Sequence, residues 1–345
     1  MIIALDAMGG DFAPEQAVRG AVLAAGTLES RVALVGAETQ IQSILDAAGG
    51  SDGCVIRHAS EVVGMEDSPR TALRGKPDSS VARTVEMVLS GEAQACVSAG
   101  NSGAFMALCA NRLKTIPGIH RPAIAMALPT IAGPRVLLDA GANADCKPVY
   151  LQQFGIMGSL YAQHVLGIES PRVGILSIGT EAHKGNELTQ AAMPLLSEAP
   201  INFIGNVEGD QLFGYIDESG EPRTEVDVVV CDGFAGNVAL KVMEGVAVML
   251  VSMLKRGIAR SLPAKFGALC MHGAIRDVKD QLDYGRYGGA LLLGVNGICI
   301  VSHGKSDANA IKSALLLAER SAAANVVEHV RQACAGLLKP EVVET

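Results

Sequence analysis

Short apolar runs alternate with helix-length segments along most of this 345-residue chain. Continuous apolar runs of strand length are typical of strands buried on both faces. The predicted strands are MIIALD, RVALVG, AQACVS, AIAMALP, RVLLDA, RVGILSIG, INFIGN, VDVVVCD and ICIVSHG. The predicted helices lie at 14–25, 78–90, 148–166, 187–197 and 235–255. This alternation predicts a three-layer α/β/α protein, with a mostly parallel sheet between two layers of helices.

Seven of these strands end in loops rich in Gly, Asn or Asp. The loops lie at 6–11, 98–103, 139–143, 179–181, 205–206, 232–237 and 302–306. Glycine lets consecutive N–H groups converge on an oxyanion, and a following helix N-terminus favours negative charge. One such loop alone is better explained as a turn and a helix cap. Because the carboxyl ends of parallel strands gather at one edge, we expect all seven to line one cleft that binds phosphate or an oxyanion.

Composition and charge exclude several classes of protein. The net charge is −8 and there is no long basic run, which argues against a nucleic-acid partner. The eight cysteines lie singly, without a C-x-x-C pair, which favours buried free thiols over a zinc site. The N-terminal segment MIIALDAMGGD lacks the pattern of a signal peptide, and no stretch of about 20 apolar residues occurs. We therefore expect a cytoplasmic protein without a membrane-spanning helix.

The nucleotide-binding motifs are also missing. No two glycines stand two residues apart, so the G-x-G-x-x-G fingerprint has no candidate. The sequence HGKS at 303–306 resembles the end of a Walker A loop, but Cys299 occupies the position of its first glycine. No G-x-S-x-G nucleophile elbow occurs either. These absences favour direct attack by a bound nucleophile.

A few polar side chains in the loops are candidates for chemistry. Lys184 is the clearest mobile cation, although a solvated lysine explains it equally well. His183 and His303 are candidate acid–base groups, or they only cap a helix or face solvent. Asn143, Asn206 and Asn237 lie near strand ends, where an amide either donates to a carbonyl oxygen or only tolerates left-handed backbone.

Eight ordered motifs carry a resemblance to a known family. They are DAMGGD (6–11), SAGNSGA (98–104), HRPA (120–123), LDAGAN (138–143), GTEAHKGNE (179–187), GNVEGDQLF (205–213), VCDGFAGNVALK (230–241) and HGKSDANAIK (303–312). In this order, from Met1 to about Ala322, they resemble the bacterial phosphate acyltransferases of phospholipid synthesis, the PlsX family. Two positions depart from the family pattern: Ser102 stands where Thr is common, and Ala182-His183 replaces a frequent second Glu.

The resemblance implies a fold and an activity. The expected fold has two lobes around a cleft, as in isocitrate and isopropylmalate dehydrogenases and phosphotransacetylases. The implied reaction transfers a long-chain acyl group from acyl carrier protein to inorganic phosphate, without an organic cofactor or a metal. The product supplies a membrane glycerol-3-phosphate acyltransferase. A homodimer is implied, with one domain at 1–335, a helical hairpin at about 240–272 and a C-terminal tail at 336–345.

These expectations assign roles to individual residues. Lys184 and Asn237 are the candidate catalytic residues, Lys184 for the phosphate or the departing thiolate and Asn237 for the oxyanion. The candidate phosphate and substrate contacts are Asp6, Gly9, Gly10, Asp11, Gly100, Asn101, Ser102, Gly103, Arg121, Asn143, Glu181, Asn206, Asp232 and His303.

The segment 246–271 alternates apolar and basic residues, and Pro263 interrupts it, which predicts two helices meeting at a turn. Such a hairpin suits an anionic membrane surface or acidic acyl carrier protein, and packing on a dimer partner explains it about as well. The family resemblance implies peripheral association with the inner face of the cell membrane. The candidate contacts are Leu254, Lys255, Ile258, Arg260, Leu262 and Phe266.

Three other functions remain open at this stage. A short-chain phosphotransacylase that uses coenzyme A thioesters would share the loops and differ in the acyl pocket. A non-catalytic anion-binding or membrane-docking module would use the loops for recognition alone. A dehydrogenase of the related fold is weaker, because no metal-binding Asp cluster can be traced in the sequence.

Overall fold

The computed structural model describes residues 1–50, 52–282 and 284–335, and the predicted tail at 336–345 lies outside them. The strands are β1 (Ile2–Asp6), β2 (Arg31–Gly36), β3 (Cys54–His58), β4 (Ala95–Ser98), β5 (Ala123–Leu128), β6 (Arg135–Leu138), β7 (Arg172–Leu176), β8 (Asn202–Val207), β9 (Tyr215–Ile216), β10 (Pro222–Arg223), β11 (Val228–Val230), β12 (Ala290–Leu293) and β13 (Ile298–Val301).

Helices connect most of these strands, as the alternation of the sequence predicts. The helices are α1 (Glu15–Ala25), α2 (Glu38–Ala47), α3 (Pro69–Arg74), α4 (Ser80–Leu89), α5 (Ser102–Arg112), α6 (Pro148–His164), α7 (Glu187–Glu198), α8 (Gly233–Ala259), α9 (Leu262–Cys270), α10 (His272–Leu282), α11 (Ala308–Ala323) and α12 (Val326–Ala335).

One sheet of eleven strands forms the centre of the described chain, in the order β3-β2-β1-β4-β13-β12-β5-β6-β11-β7-β8. Its pairings are parallel except in the middle, where β12 is antiparallel to β13 and β5, and β5 is antiparallel to β6. The prediction of a mostly parallel α/β sheet is confirmed. The strands from β3 to β13, the first half, therefore run opposite to β6, β11, β7 and β8, the second half.

The register brings the carboxyl ends of both halves to the same level of the sheet. Val301 pairs with Ala290, Ala290 with Met126, and Met126 with Leu137, which defines one row across the antiparallel centre. Strand β13 ends at this row, whereas β6 crosses it from the other side and ends one residue later, at Leu138. The loops of the two halves thus leave the row in opposite directions.

Apolar side chains fill the space between the sheet and helices on both faces. One core cluster packs α1, α6, α11 and α12 on the sheet, and a second packs α4 and α5 on the opposite face. A third and smaller cluster holds Leu240 of α8 against Leu137 and Val229 in the second half. This burial fixes the first turns of α8 on the sheet, beside the antiparallel centre.

The rest of α8 leaves the folded body. Gly233, Gly236 and Leu240 are buried in α8, whereas the helix is largely exposed beyond them. It ends at Ala259, and α9 begins at Leu262 and packs against α8, so the predicted two helices on either side of a turn are present. We call residues 245–278 the helical arm.

Helix α8 differs from the expectation that no segment resembles a membrane span. Within the described ranges, it is the one helix that is long and apolar enough to cross a membrane by length and composition. The charged residues Lys241 and Glu244 interrupt the apolar run of α8 in the sequence, but the helix as a whole is still apolar. The N-terminal turns of α8 are packed on the sheet, so its length and apolar composition are not sufficient to identify it as a membrane-spanning helix.

Candidate active site

A cavity of about 510 Å³ opens where the two halves of the sheet meet. Its floor includes Ile124 and Met126 of β5 and Ala290 of β12, close to the shared row. The loops after β1, β4 and β13 form one wall, and α8 forms another. Five predicted site residues line it: Asp11, Gly100, Ser102, Asn237 and His303.

Glycine lets the first-half loops pack main chain against main chain. A Cβ at Gly9 would collide with Oδ2 of Asp6 and lie 2.8 Å from the backbone N of Gly100, so a side chain there would force the loops apart. Gly10 has a φ of +112°, and the amide of Asp11 donates to the carbonyl of Gly304 at 2.7 Å. These contacts join all three loops into one wall of the cavity.

Asp6 supports this wall from behind. It is 2 % exposed, and its Oδ2 accepts a 2.7 Å hydrogen bond from Oγ of Ser98. Burial raises the pKa of Asp6, and hydrogen bonds from Ser80, Ser98 and the amides of Met8 and Gly9 oppose that rise. We therefore describe Asp6 as a residue that positions the loops.

The turn at 98–103 holds two predicted contacts in different roles. The Nδ2 of Asn101 donates to the carbonyls of Met65 at 2.9 Å and Asp67 at 2.8 Å, and its Oδ1 accepts from the amide of Ala104. Asn101 therefore caps α5 and fixes a neighbouring loop, and its side-chain donors are engaged there rather than free for phosphate. Ser102 lines the cavity in the first turn of α5, and Gly103 lies behind it against Asn101.

A carboxylate at the start of α8 sets the direction of the α8 wall. Asp232 caps α8 by accepting from the amide of Ala235 at 2.8 Å. About one turn into the helix, Asn237 faces the cavity, and its side chain lies next to Gly141. The cap fixes the direction of the helix, and the helix places the Asn237 amide opposite the first-half loops.

Asp139 was not among the predicted site residues, yet it organises the loop at Gly141. It is fully buried and accepts from the amides of Ile124, Gly141, Ala142 and Asn143 and from the Asn143 side chain. Nδ2 of Asn143 also donates to the carbonyl of Pro122 at 2.8 Å. Asn143 is thus engaged by its own loop. The LDAGAN motif contained this signal, since a buried Asp before glycine commonly accepts several amides.

The prediction that seven loops line one cleft is wrong in part. Lys184 and Glu181 follow β7, Asn206 lies near the end of β8, and all three are outside the cavity lining in the described structure. Nδ2 of Asn206 donates to the carbonyls of Glu181 at 2.8 Å and Lys184 at 3.3 Å, so it fixes the neighbouring loop after β7. The reason is the strand order, because β7 and β8 are the outermost strands of the second half, whereas Ala140 and Asn237, which line the cavity, follow β6 and β11 nearer the antiparallel centre. Arg121 also lies outside the lining and is exposed before β5.

Two lysines that line the cavity were not among the predicted site residues, although both lie inside the motifs that carry the family resemblance. Nζ of Lys241 lies 2.7 Å from Oε2 of Glu244, and that pair lies along the α8 wall. Lys305 lines the opposite wall, and its amide donates to Nδ1 of His303 at 3.1 Å. An ammonium beside glycine amides is a suitable arrangement for a small anion.

The comparisons with known proteins agree on one family. The family model described as "Fatty acid synthesis protein" matches residues 1–329. The phosphate acyltransferase of Pelotomaculum thermopropionicum is 49% identical over 331 residues, covering 96% of this chain and 94% of that protein. That of Heliobacterium modesticaldum is 48% identical over 343 residues, covering 99% of both. The chain belongs to the phosphate acyltransferase family. It is therefore an acyltransferase of fatty acid and phospholipid synthesis.

Similar solved structures agree on the fold. A phosphotransacetylase from Streptococcus pyogenes has a TM-score of 0.63 at 16% identity, covering 94% of each chain. A 4-hydroxythreonine-4-phosphate dehydrogenase from Klebsiella pneumoniae has a TM-score of 0.53 at 16% identity, covering 93% of this chain and 99% of that one. The predicted relation to phosphotransacetylase and dehydrogenase folds is confirmed.

Proposed function

We propose that this chain transfers a long-chain acyl group from acyl carrier protein to inorganic phosphate, giving an acyl phosphate for glycerophospholipid synthesis. The observation that carries the proposal is the cavity in which glycine loops and Ser102 face Asn237. One wall suits an anion and the other offers an amide, and the floor includes apolar Ile124 and Met126. A phosphate and an acyl thioester need these three surfaces together.

Phosphate is the nucleophile in this proposal. It binds beside Gly100, Ser102 and Gly304, with the Lys305 ammonium supplying the positive charge. A phosphate oxygen attacks the thioester carbonyl carbon, the C–O bond forms, and the C–S bond then breaks. The thiolate leaves and takes up a proton from water. A thiolate leaves readily, so the step does not require a strong general acid.

Asn237 stabilises the oxyanion that forms on the carbonyl oxygen. Its amide projects from a capped helix on the wall opposite the phosphate loops. A donor that is already oriented stabilises developing charge without reorganising during the reaction. Asp139 and Asp232 act through Asn237, since they hold the loop and the helix around it.

The helical arm is proposed as the contact with an anionic membrane surface. Leu254, Leu262 and Phe266 are 48%, 80% and 70% exposed, and Lys255 and Arg260 are exposed beside them, whereas Ile258 is half-buried. An apolar surface rimmed by basic residues, on a chain of net charge −8, fits anionic lipid. We therefore propose that the enzyme is cytoplasmic and associates with the inner face of the membrane, where a membrane glycerol-3-phosphate acyltransferase would consume the acyl phosphate.

Acyl carrier protein and a second copy of the chain are the other proposed partners of this surface. Liposome flotation of the full chain distinguishes binding of this surface to lipid from binding to either of these two proteins. Leu254→Glu should abolish flotation on anionic vesicles while the homodimer persists in light scattering, and exposed Thr39→Glu is the control. Loss of the dimer in Leu254→Glu would instead assign the arm to the partner subunit. Unchanged flotation would exclude the lipid contact.

The function is tested by incubating the enzyme and phosphate with palmitoyl-acyl carrier protein or with acetyl-coenzyme A. Phosphate-dependent loss of the palmitoyl thioester, with acyl phosphate as product, is the expected result. Preference for acetyl-coenzyme A would indicate a short-chain phosphotransacylase. Loss of neither thioester would contradict catalysis and favour an anion-binding or membrane-docking module.

A further inference from the structure

Three cysteines that are distant in the sequence converge inside the first half of the sheet. Cys96 lies in β4, Cys299 in β13 and Cys109 in α5, and all three are 0 % exposed. Cys96 and Cys299 are direct partners on neighbouring parallel strands, so their side chains leave the same face, which α5 covers. The three sulfur atoms lie within 4.8 Å of one another.

The mutual arrangement distinguishes this cluster from ordinary buried cysteines. A free buried cysteine usually packs as a small apolar group. Here the three thiols lie close enough to change one another's ionisation: the neighbouring Cys109 and Cys96 lower the pKa of Cys299, whereas burial raises the pKa of Cys96 and of Cys109. In the part of the chain that the structure describes, no other group of three Cys, His, Asp or Glu brings its ligand atoms this close.

The spacing suits a single bound ion. Sulfur atoms held about 2.3 Å from one centre, as in zinc–thiolate sites, lie about 4 Å from each other in a planar trigonal arrangement. The observed sulfurs therefore need only small side-chain rotations to bind one ion. The three elements that carry them are held in the core, which favours a fixed trigonal geometry.

The burial of the cluster selects the class of ion. All three thiols are 0 % exposed, and burial raises the pKa of Cys96 and of Cys109. Three thiolates around a monovalent or divalent ion would leave a net negative charge in this buried position, which is costly. Three thiolates around a trivalent centre form a neutral complex.

We propose that Cys96, Cys109 and Cys299 form a binding site for a trivalent thiophilic element, for which arsenite is the soluble probe. Three As–O bonds of As(OH)₃ break and three As–S bonds form, the thiol protons leave with the hydroxides as three waters, and no oxidant is needed. Because As(OH)₃ is uncharged, it enters a core during local opening without the desolvation cost of a hydrated cation.

The test is titration of the reduced full chain with arsenite, followed by native mass spectrometry and arsenic X-ray absorption. We expect one arsenic per chain, a mass gain of one arsenic less three hydrogens, and three sulfur neighbours around the arsenic. Two sulfur neighbours, or no binding, would overturn the proposal. Zinc is titrated in parallel, and tighter binding of zinc than of arsenite would overturn the trivalent assignment.

Substitutions locate the site. Cys109→Ala should weaken arsenite binding at least tenfold, whereas Cys270→Ser, at an exposed single cysteine, should leave it unchanged. Circular dichroism and thermal unfolding confirm that each variant is folded. Equal affinity in Cys109→Ala and wild type would overturn the assignment to this cluster. The absorption measurement on wild type tests the proposal independently of any variant.

Discussion

The loops of the two halves of the sheet use their polar groups in different ways. In the first half, Gly9 and Gly100 bring main chains together, and backbone and Ser102 face a cavity. In the second half, Asn143 and Asn206 donate to carbonyls near their own loops. Loops that leave polar groups facing a cavity are suited to recognition, and loops that satisfy themselves are suited to support. The exception is Asn237, which α8 carries from the second half into the cavity.

The largest expected effect comes from filling the contact between the first-half loops. In Gly9→Ala, the new Cβ would collide with the Asp6 carboxylate and the Gly100 backbone, so the phosphate wall must move. A displacement of about 1 Å in a catalytic wall costs about 100-fold in rate. Steady-state turnover measures this loss. Gly26→Ala is the control, because nothing lies within 4 Å of a Cβ there, and equal turnover of the two variants would contradict the account.

A second prediction concerns the support function of the other half. Asp139→Ala removes the acceptor of the buried Ile124 amide and of three partly buried amides, so the free energy of unfolding should fall by at least about 3 kcal/mol. Urea unfolding measures the change. Asp145→Ala removes an exposed carboxylate nearby and should change the free energy by less than about 0.5 kcal/mol. Similar losses in both variants would show that Asp139 does not hold the loop.

A third prediction compares one lysine from each half. Lys305→Ala should raise the KM for phosphate about tenfold, since about 1.4 kcal/mol of binding is tenfold in affinity. Lys184→Ala removes the cation proposed to stabilise the departing thiolate and should lower turnover at least about tenfold, with little change in the KM for phosphate. Exposed Lys147→Ala is the control for both. Near-normal turnover of Lys184→Ala would remove Lys184 from the mechanism.

The smallest expected effect is the pH dependence of stability at Asp6. Its folded pKa is raised above the unfolded value of about 3.9, so the folded state binds the proton more tightly. This contribution to stability is full below the unfolded pKa and is lost as pH rises through the folded pKa. Relative to Asp6→Asn, wild type should therefore lose stability as the pH rises above about 4 and through the folded pKa, as measured by urea unfolding. A difference between the two proteins that stays constant as the pH rises would contradict the raised pKa.

The sequence predicted the fold class because apolar strands and helices alternate, but it did not predict the direction of every strand. The run that forms β12 lies between glycines, and it is not among the strands predicted from the sequence. That strand, with β5, reverses the sheet. Periodicity identifies strands one at a time, whereas their direction depends on partners that are far away in the chain.

The candidate site was predicted in part for a similar reason. Asp11, Gly100, Ser102, Asn237 and His303 do meet in one cavity. The sequence shows where an amide side chain stands but not which group it binds, so Asn101, Asn143 and Asn206 were expected at the substrate. Lys305 was not predicted because a lysine in a loop is usually solvated, and the sequence does not show which loop lysines line a cavity.

Hydrogen exchange of the full chain in the presence of phosphate tests the central claim most directly. Backbone amides that bind phosphate or are ordered by it exchange more slowly. We predict phosphate-dependent protection at 9–11, 100–104 and 303–306, with none at 179–187 or 205–207, and no protection by an equal concentration of chloride. Protection at 179–187 and 205–207 without protection at 100–104 would contradict the account and assign phosphate binding to the second half.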